Sequence, residues 1–446
     1  MHHCENLRRS VTTSMMLRRF ALLCVLPAVL LSCRVPDPPV FKDKSRGLVY
    51  DTALEPEIRS GTAPAIVTTA FARYVDTLSE PVAITAWTET DCRWTVFVGA
   101  NRGILQDQTS PDSANRVLDM VSYGKSDVLL PRQARGKDSK LAPKRSPKWI
   151  PSFAKGTADD DQDHATVDSS PLSAEQFLEG VNDQINRSRQ HDLLIFVHGF
   201  NVDFDAAVIR TAQLALDIPF NGAVVAYCWP SQGGVFSYND DEPINKRSVE
   251  PFCEFLKAIR TGVSPETRIN VVVHSMGNRI VMESLARLAA DSDFAELTHK
   301  SRKPFANVAL CAPDVGRSDF QAWAPGVVSQ CDRVTLYASS SDSALIASKG
   351  LHAEVRAGDA WYPSTASGIE TVDCSRVDLT FMGHSYYGSN TDVLSDLFML
   401  LKEDLPAAKR PHLRQVAADS GAPHFQFAES APAVLCSWHF EDLLPE

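Results

Sequence analysis

Short, wholly apolar runs alternate along the chain with longer stretches that are apolar on one side only. This alternation predicts buried parallel strands separated by amphipathic helices. The clearest run is Ile269 to Val273, apolar and β-branched except at Asn270, as expected of a central strand covered on both faces. Beyond a turn, Ile280, Val281, Ser284, Leu285 and Leu288 recur at helical spacing. Further strands are predicted within Leu193 to Asn201 and at Ala223 to Cys228, Ala306 to Cys311, Arg333 to Ala338 and Val377 to Met382. The pattern implies an α/β chain with a doubly wound, mainly parallel sheet and flanking helices. In such a sheet ligands bind beyond the carboxyl ends of the strands.

Candidate chemistry falls at those ends. In VVVHSMGNR, Ser275 lies between the strand and the helix, with Gly277 at a crowded point. Strand, tight turn and helix is the geometry of a nucleophile elbow, which exposes the hydroxyl and aims backbone N–H groups at a developing oxyanion. A GxSxG motif would place glycine where Val273 stands, and a serine here could instead cap the helix. Upstream, LLIFVHGFN reads as a strand running into a His-Gly turn that resembles the oxyanion-hole loop of α/β hydrolases. There the N–H of Phe200 would join that of Met276, with His198 shaping the loop. Asp314 in CAPDVG, Asp342 in YASSSDSA and His384 in FMGHSYYG follow successive predicted strands. A serine needs a base to take its proton and a carboxylate to orient that base, so the candidates are Ser275, then Asp314 or Asp342, then His384.

FVHGFN, CWPSQG followed by SYNDDE, VVHSMGNR, ALCAPDVGR and GHSYY together resemble a bacterial α/β-hydrolase-like family grouped as a domain of unknown function and described as esterase- or lipase-like. VFVGANR (96–102) and DVLLPR (127–132) look like that family's leading hairpin. The resemblance covers roughly residues 92–425. It implies the α/β-hydrolase fold, Ser275 as nucleophile and His384 as base, without a settled substrate. In that fold the acid usually follows the second strand after the nucleophile, which puts Asp342 ahead of Asp314. The implied function is serine hydrolysis of an ester or related acyl substrate through an acyl-serine intermediate. The alternative is a catalytically inactive scaffold that binds an envelope partner and keeps the elbow as architecture.

The N-terminus carries a predicted address. Arg18 and Arg19 precede the apolar run Phe20 to Leu31 and then Ser32 and Cys33, which reads as a secretory signal over residues 1–32. LLSC resembles a bacterial lipobox, so Cys33 is the expected lipidation site, followed by a proline-rich tether within an appendage over 33–91. The expected location is the cell envelope, with membrane contact through that anchor. A charge-blocked loop over 132–172 reads as a flexible insertion, and 426–446 as a C-terminal tail. Ser231 to Ser248, with Gly233, Gly234, Phe236 and Tyr238, is either a mobile flap over the serine or a plain surface loop.

Composition narrows the classes. With 44% hydrophobic and 22% charged residues the chain can bury a large core, and a net charge of −11 disfavours nucleic acid and anionic lipid surfaces as partners. The sequence has no His/Cys metal cluster and no phosphate loop, so neither metal nor cofactor is expected. Removal of Cys4 and Cys24 and acylation of Cys33 would leave an odd number of thiols, so at least one stays unpaired. Cys228 and Cys311 read as core residues, and Cys331 with Cys374 as a candidate disulfide in an oxidising compartment.

Overall fold

The structure is a computed structural model that describes residues 83–87, 91–103, 116–131, 165–188, 190–218, 220–232, 238–297, 302–360, 364–377, 391–411, 413–416 and 423–427. Its apolar runs are the strands β5 (Asp192–Val197), β6 (Ala223–Cys228), β7 (Arg268–His274), β8 (Phe305–Cys311) and β9 (Cys331–Ala338), parallel to one another. A parallel strand between two layers of helices has no wet face, which explains why these runs are predominantly apolar. The first strands are β1 (Ile84–Trp87), β2 (Asp91–Arg102), β3 (Val117–Pro131) and β4 (Thr166–Leu172); the last are β10 (Ile369–Asp373), β11 (Leu413–Val416) and β12 (His424–Phe427). The sheet order is β11-β12-β10-β9-β8-β7-β5-β6-β2-β3-β4, with β1 beside β2. β2 runs parallel to β6, and β3 and β4 extend that side antiparallel.

The helices are α1 (Ala174–Arg187), α2 (Phe204–Asp217), α3 (Tyr238–Arg247), α4 (Val249–Gly262), α5 (Gly277–Ala290), α6 (Ser292–Leu297), α7 (Arg317–Gln330), α8 (Ser343–His352) and α9 (Thr391–Leu401). Strand alternation divides their partners. Leu193, Ile195, Val197, Val271 and Val273 pack with Val181, Phe252, Ile280 and Val327, from α1, α4, α5 and α7. Leu194, Phe196 and Val272 face the other way, toward Val208 and Ala212 of α2 and Leu397 of α9. Each large apolar side chain so buried contributes about 1.5–3 kcal/mol by leaving water. Ser173 and Gln176 close a capping box at α1, and the Asp203 carboxylate caps α2.

Five expectations need correction. The segment Thr166–Leu172, assigned to the flexible insertion, is strand β4 paired with β3; being an edge strand, it carries no apolar stripe to announce it. β1 and the start of β2 draw the end of the predicted appendage into the sheet, and β12 crosses the predicted boundary of the tail. The strand after β9 is Ile369–Asp373; Val377 lies in a turn whose N–H donates to Cys374 O (3.1 Å), and residues 378–382 lie outside the described residues. The Cys331–Cys374 disulfide is excluded by register. Cys331 opens β9, while Cys374 follows the end of β10 and donates to Ala338 O, at the far end of β9 (2.7 Å). The separation is roughly 26 Å at about 3.3 Å per residue, against the ~7 Å that a disulfide can bridge. Cys228, Cys253, Cys311, Cys331 and Cys374 are all buried free thiols.

Candidate active site

β7 ends at His274 and α5 begins at Gly277, so the connection is only Ser275 and Met276. Ser275 has φ +52°, the left-handed region that costs an L-residue about 1–2 kcal/mol. Neighbours hold it there. Its N–H donates to Cys311 O (3.0 Å), and its carbonyl accepts from the backbone of Asn278 (3.1 Å), the Asn278 amide (2.9 Å) and Asp314 N–H (3.3 Å). The cap position of α5 is Met276, which makes no side-chain cap hydrogen bond, so Ser275 does not occupy the cap position. Val273, which stands where the motif has glycine, fits because its side chain is buried in the core.

The His-Gly loop lies against this turn because β5 and β7 pair in register, Val197 opposite Val273. Their extensions therefore run side by side, the loop 198–200 facing 274–276. A Cβ on Gly199 would lie 2.7 Å from Ser275 Cβ, and one on Gly277 would lie 2.4 Å from His198 O. Both glycines are required by this contact. Phe200 and Met276 follow Gly199 and Ser275 on the two facing segments. Among the described residues neither backbone N–H is taken by a protein acceptor. His198 stacks on Trp229 (5.3 Å, 7°), and its Nδ1 lies 2.9 Å from Gly199 O. Burial pushes the imidazole down to about 3, so it is neutral at ordinary pH and cannot serve as a proton-carrying acid.

The two candidate acids occupy different settings. Asp314 is buried, and its carboxylate accepts from Tyr238 Oη (2.5 Å) and Ser348 Oγ (2.6 Å) and pairs with Arg279 (3.1 Å) and Arg356 (3.2 Å). Burial alone would raise its pKa, but Arg279, Arg356 and the two hydroxyls outweigh burial and hold it below the ordinary carboxylate value. It is the hub of an ion cluster. Asp342 is also buried and caps α8, one carboxylate oxygen accepting from Ala344 N–H (3.1 Å) and Leu345 N–H (3.0 Å). It stands past the end of β9, beyond β8 from the serine strand. His384 lies outside the described residues, as do Cys33 and Gly233 to Ser237.

The family model for an alpha/beta hydrolase of unknown function (DUF900) matches residues 173–402, just over half of the chain and the whole span from α1 to the end of α9. The chain belongs to this family. A curated relative, an uncharacterised protein of Nostoc sp., is 27% identical over 154 residues; the matched part is 28% of this chain and 40% of that protein. Among solved structures, esterase B from Lactobacillus rhamnosis is 12% identical, with 79% of this chain and 96% of that chain covered at a TM-score of 0.31. A Pyrobaculum calidifontis esterase is 9% identical, with 76% and 93% covered at 0.32. The fold assignment rests on the family match and on the sheet topology described above.

In this α/β hydrolase the described part of the expected flap, from Tyr238 onward, is not free. It is helix α3, tied down by Tyr238 to Asp314, by Glu242 to Arg279 (2.5 Å) and by Asn245 to Met276 O (3.1 Å). Tyr238 also packs edge-on against Phe200 (5.3 Å). Arg279, Arg356, Ser348 and Asn245 also belong to the candidate site, and none is among the residues expected there from the sequence. Arg279 left a signal: a cation in the first turn of α5 opposes the helix dipole, so a buried acid partner was called for. Among the described residues no group of side chains could hold a metal ion, and no helix is long and apolar enough to cross a membrane.

Proposed function

We propose that this α/β hydrolase is a serine hydrolase that cleaves an ester or related acyl bond through an acyl-serine intermediate. The observation that carries the proposal is the left-handed backbone of Ser275 at the strand-to-helix turn, with the Gly199 loop against it. Ser275 Oγ attacks the acyl carbon while His384 takes its proton, and the tetrahedral oxyanion is received by the N–H groups of Phe200 and Met276. His384 then returns the proton to the leaving alcohol, and water repeats the sequence to release the acid. Asp342 is assigned as the carboxylate that orients His384, because Asp314 is already engaged by two guanidinium groups and two hydroxyls.

The substrate is assigned as a small ester or a lipid, and the chain as an exported protein held in the envelope by acylated Cys33. The test of the chemistry is a fluorophosphonate probe followed by peptide mapping. Adduct on Ser275, absent in Ser275→Ala, is the expected result; an unlabelled or differently labelled wild type overturns the proposal. The anchor is tested separately by palmitate labelling, expected for the wild type and lost in Cys33→Ala. A wild type without the label removes it.

A further inference from the structure

A buried polar chain links the oxyanion loop to α3. Ser231 Oγ accepts from Asn201 N–H (2.9 Å) and, more weakly, from Val202 N–H (3.4 Å), and donates to Asp241 Oδ2 (2.7 Å). Asp241, wholly buried on α3, also accepts from Gln232 N–H at its other oxygen (2.9 Å). One turn further along the same helix, Asn245 donates to Met276 O (3.1 Å). On the other side of the loop, Trp229 Nε1 donates to His198 O (2.8 Å), and Arg102 from the end of β2 reaches Trp229 O (3.4 Å). Four motifs singled out in the sequence, GANR, HGFN, CWPSQG and SYNDDE, meet in this one assembly.

Its geometry is specific to two peptide units. The Gly199–Phe200 peptide, which carries the Phe200 N–H, lies between a peptide held at His198 O and one held at Asn201 N–H. The Ser275–Met276 peptide, which carries the Met276 N–H, lies between one held at Ser275 N–H by Cys311 O and one held at Met276 O by Asn245. Both donor peptides are thus bracketed on each side, and α3 supplies one bracket of each. Two N–H groups stabilise an oxyanion only when both are aimed before charge develops. We propose that α3 is a positioning element, in which Asp241 acting through Ser231, and Asn245 acting directly, set the spacing and aim of the Phe200 and Met276 N–H groups. This rests on the serine-hydrolase reading.

The test compares Ser231→Ala, Asp241→Asn and Asn245→Ala with the wild type in the full chain. The readouts are kcat and KM on a short acetyl ester, the rate of fluorophosphonate acylation, and inhibition by an alkyl trifluoromethyl ketone, whose serine hemiketal carries the oxyanion. Each variant should lose roughly 10- to 100-fold in kcat and in ketone affinity with KM within about twofold, since the donors remain but are misaimed. Trp229→Phe keeps the ring over His198 and removes a single donor, so it gives the same measurement should a polar variant fold poorly. Ser231→Thr, which keeps the hydroxyl, should recover most of the loss. Lys402→Met breaks the buried pair with Asp192 at the amino end of β5, away from the site, and should lower stability without this kinetic signature. Folded Ser231→Ala, Asp241→Asn and Trp229→Phe variants acylating at wild-type rate would overturn the positioning role and leave the hydrolase reading standing. A wild type that neither labels nor turns over esters would remove both.

Discussion

Gly199→Ala adds one methyl group at the seam between loop and elbow, and its cost can be worked from the contacts. The new Cβ would stand 2.7 Å from Ser275 Cβ, 2.8 Å from His274 Nδ1 and 3.1 Å from His274 O. Carbon atoms rest at about 3.5–4.0 Å, so loop and elbow must separate by roughly 0.8 Å or more. Misplacing a catalytic group by about 1 Å costs on the order of 10²-fold in rate, equivalent to about 2.7 kcal/mol of barrier. The overpacked seam itself should cost about 1–3 kcal/mol of stability. The assay is kcat and KM on a short acetyl ester together with thermal unfolding. Gly180→Ala serves as the control: its Cβ would meet the Phe97 ring at 2.5 Å under α1, so stability should fall while kcat holds. A folded Gly199→Ala enzyme with kcat within about threefold of wild type would refute the seam as a catalytic constraint.

Ser275→Gly should be inactive, yet more stable than Ser275→Ala by about 1 kcal/mol, because only glycine relaxes at φ +52°; equal melting temperatures would contradict the strain. Asp342→Asn should lose roughly 10⁴ in turnover if it is the triad acid. Asp314→Asn should instead lose about 3–5 kcal/mol of stability by stranding Arg279 and Arg356, and an Asp314→Asn chain that is stable but dead reverses the assignment. Because Asp314 is held below the ordinary carboxylate value of 3.8 despite its burial, its stabilisation is complete above that value and is lost as pH falls through its depressed folded one. The stability gap between wild type and Asp314→Asn should therefore shrink on acidification from about pH 6 to about pH 3, and a widening gap would contradict the ion cluster. Burial raises the thiols of Cys228, Cys253, Cys311, Cys331 and Cys374, so these five should resist iodoacetamide in the native protein and react only on unfolding, as peptide mapping can check.

The central strands were legible because burial on both faces leaves a run that little else in a chain imitates; Ala223 to Cys228 was placed to the residue. The elbow was legible for the same reason, since Ser275 interrupts such a run beside a helical period. β10 was not. Its sequence, IETVD, is short and half polar, and the more apolar stretch beginning at Val377 drew the assignment away from it. The predicted disulfide failed because strand order is readable locally whereas the level at which each cysteine sits is a matter of register. The ion cluster around Asp314 and the chain from Asp241 to Asn201 were out of reach for a different reason. Their partners, Tyr238, Ser348, Arg356 and Ser231, lie on separate elements, and nothing local marks one polar side chain as the partner of another.

The level pairing of β5 with β7 makes the sheet a gauge. Each rung is about 3.3 Å, and side chains alternate between faces, so inserting one residue into either strand would shift the His-Gly loop and Ser275 by a rung relative to each other and turn the altered strand's inward face outward. No loop adjustment can return both. Length in this chain is therefore negotiable in some places and fixed in others: the connections at the amino ends of the strands can absorb additions, while the interval from Asp192 to Gly199 and that from Arg268 to Gly277 cannot. Insertion scanning would read this out as two short intolerant windows, and the same windows mark where a designer recombining this domain with a relative must keep both strands from one parent.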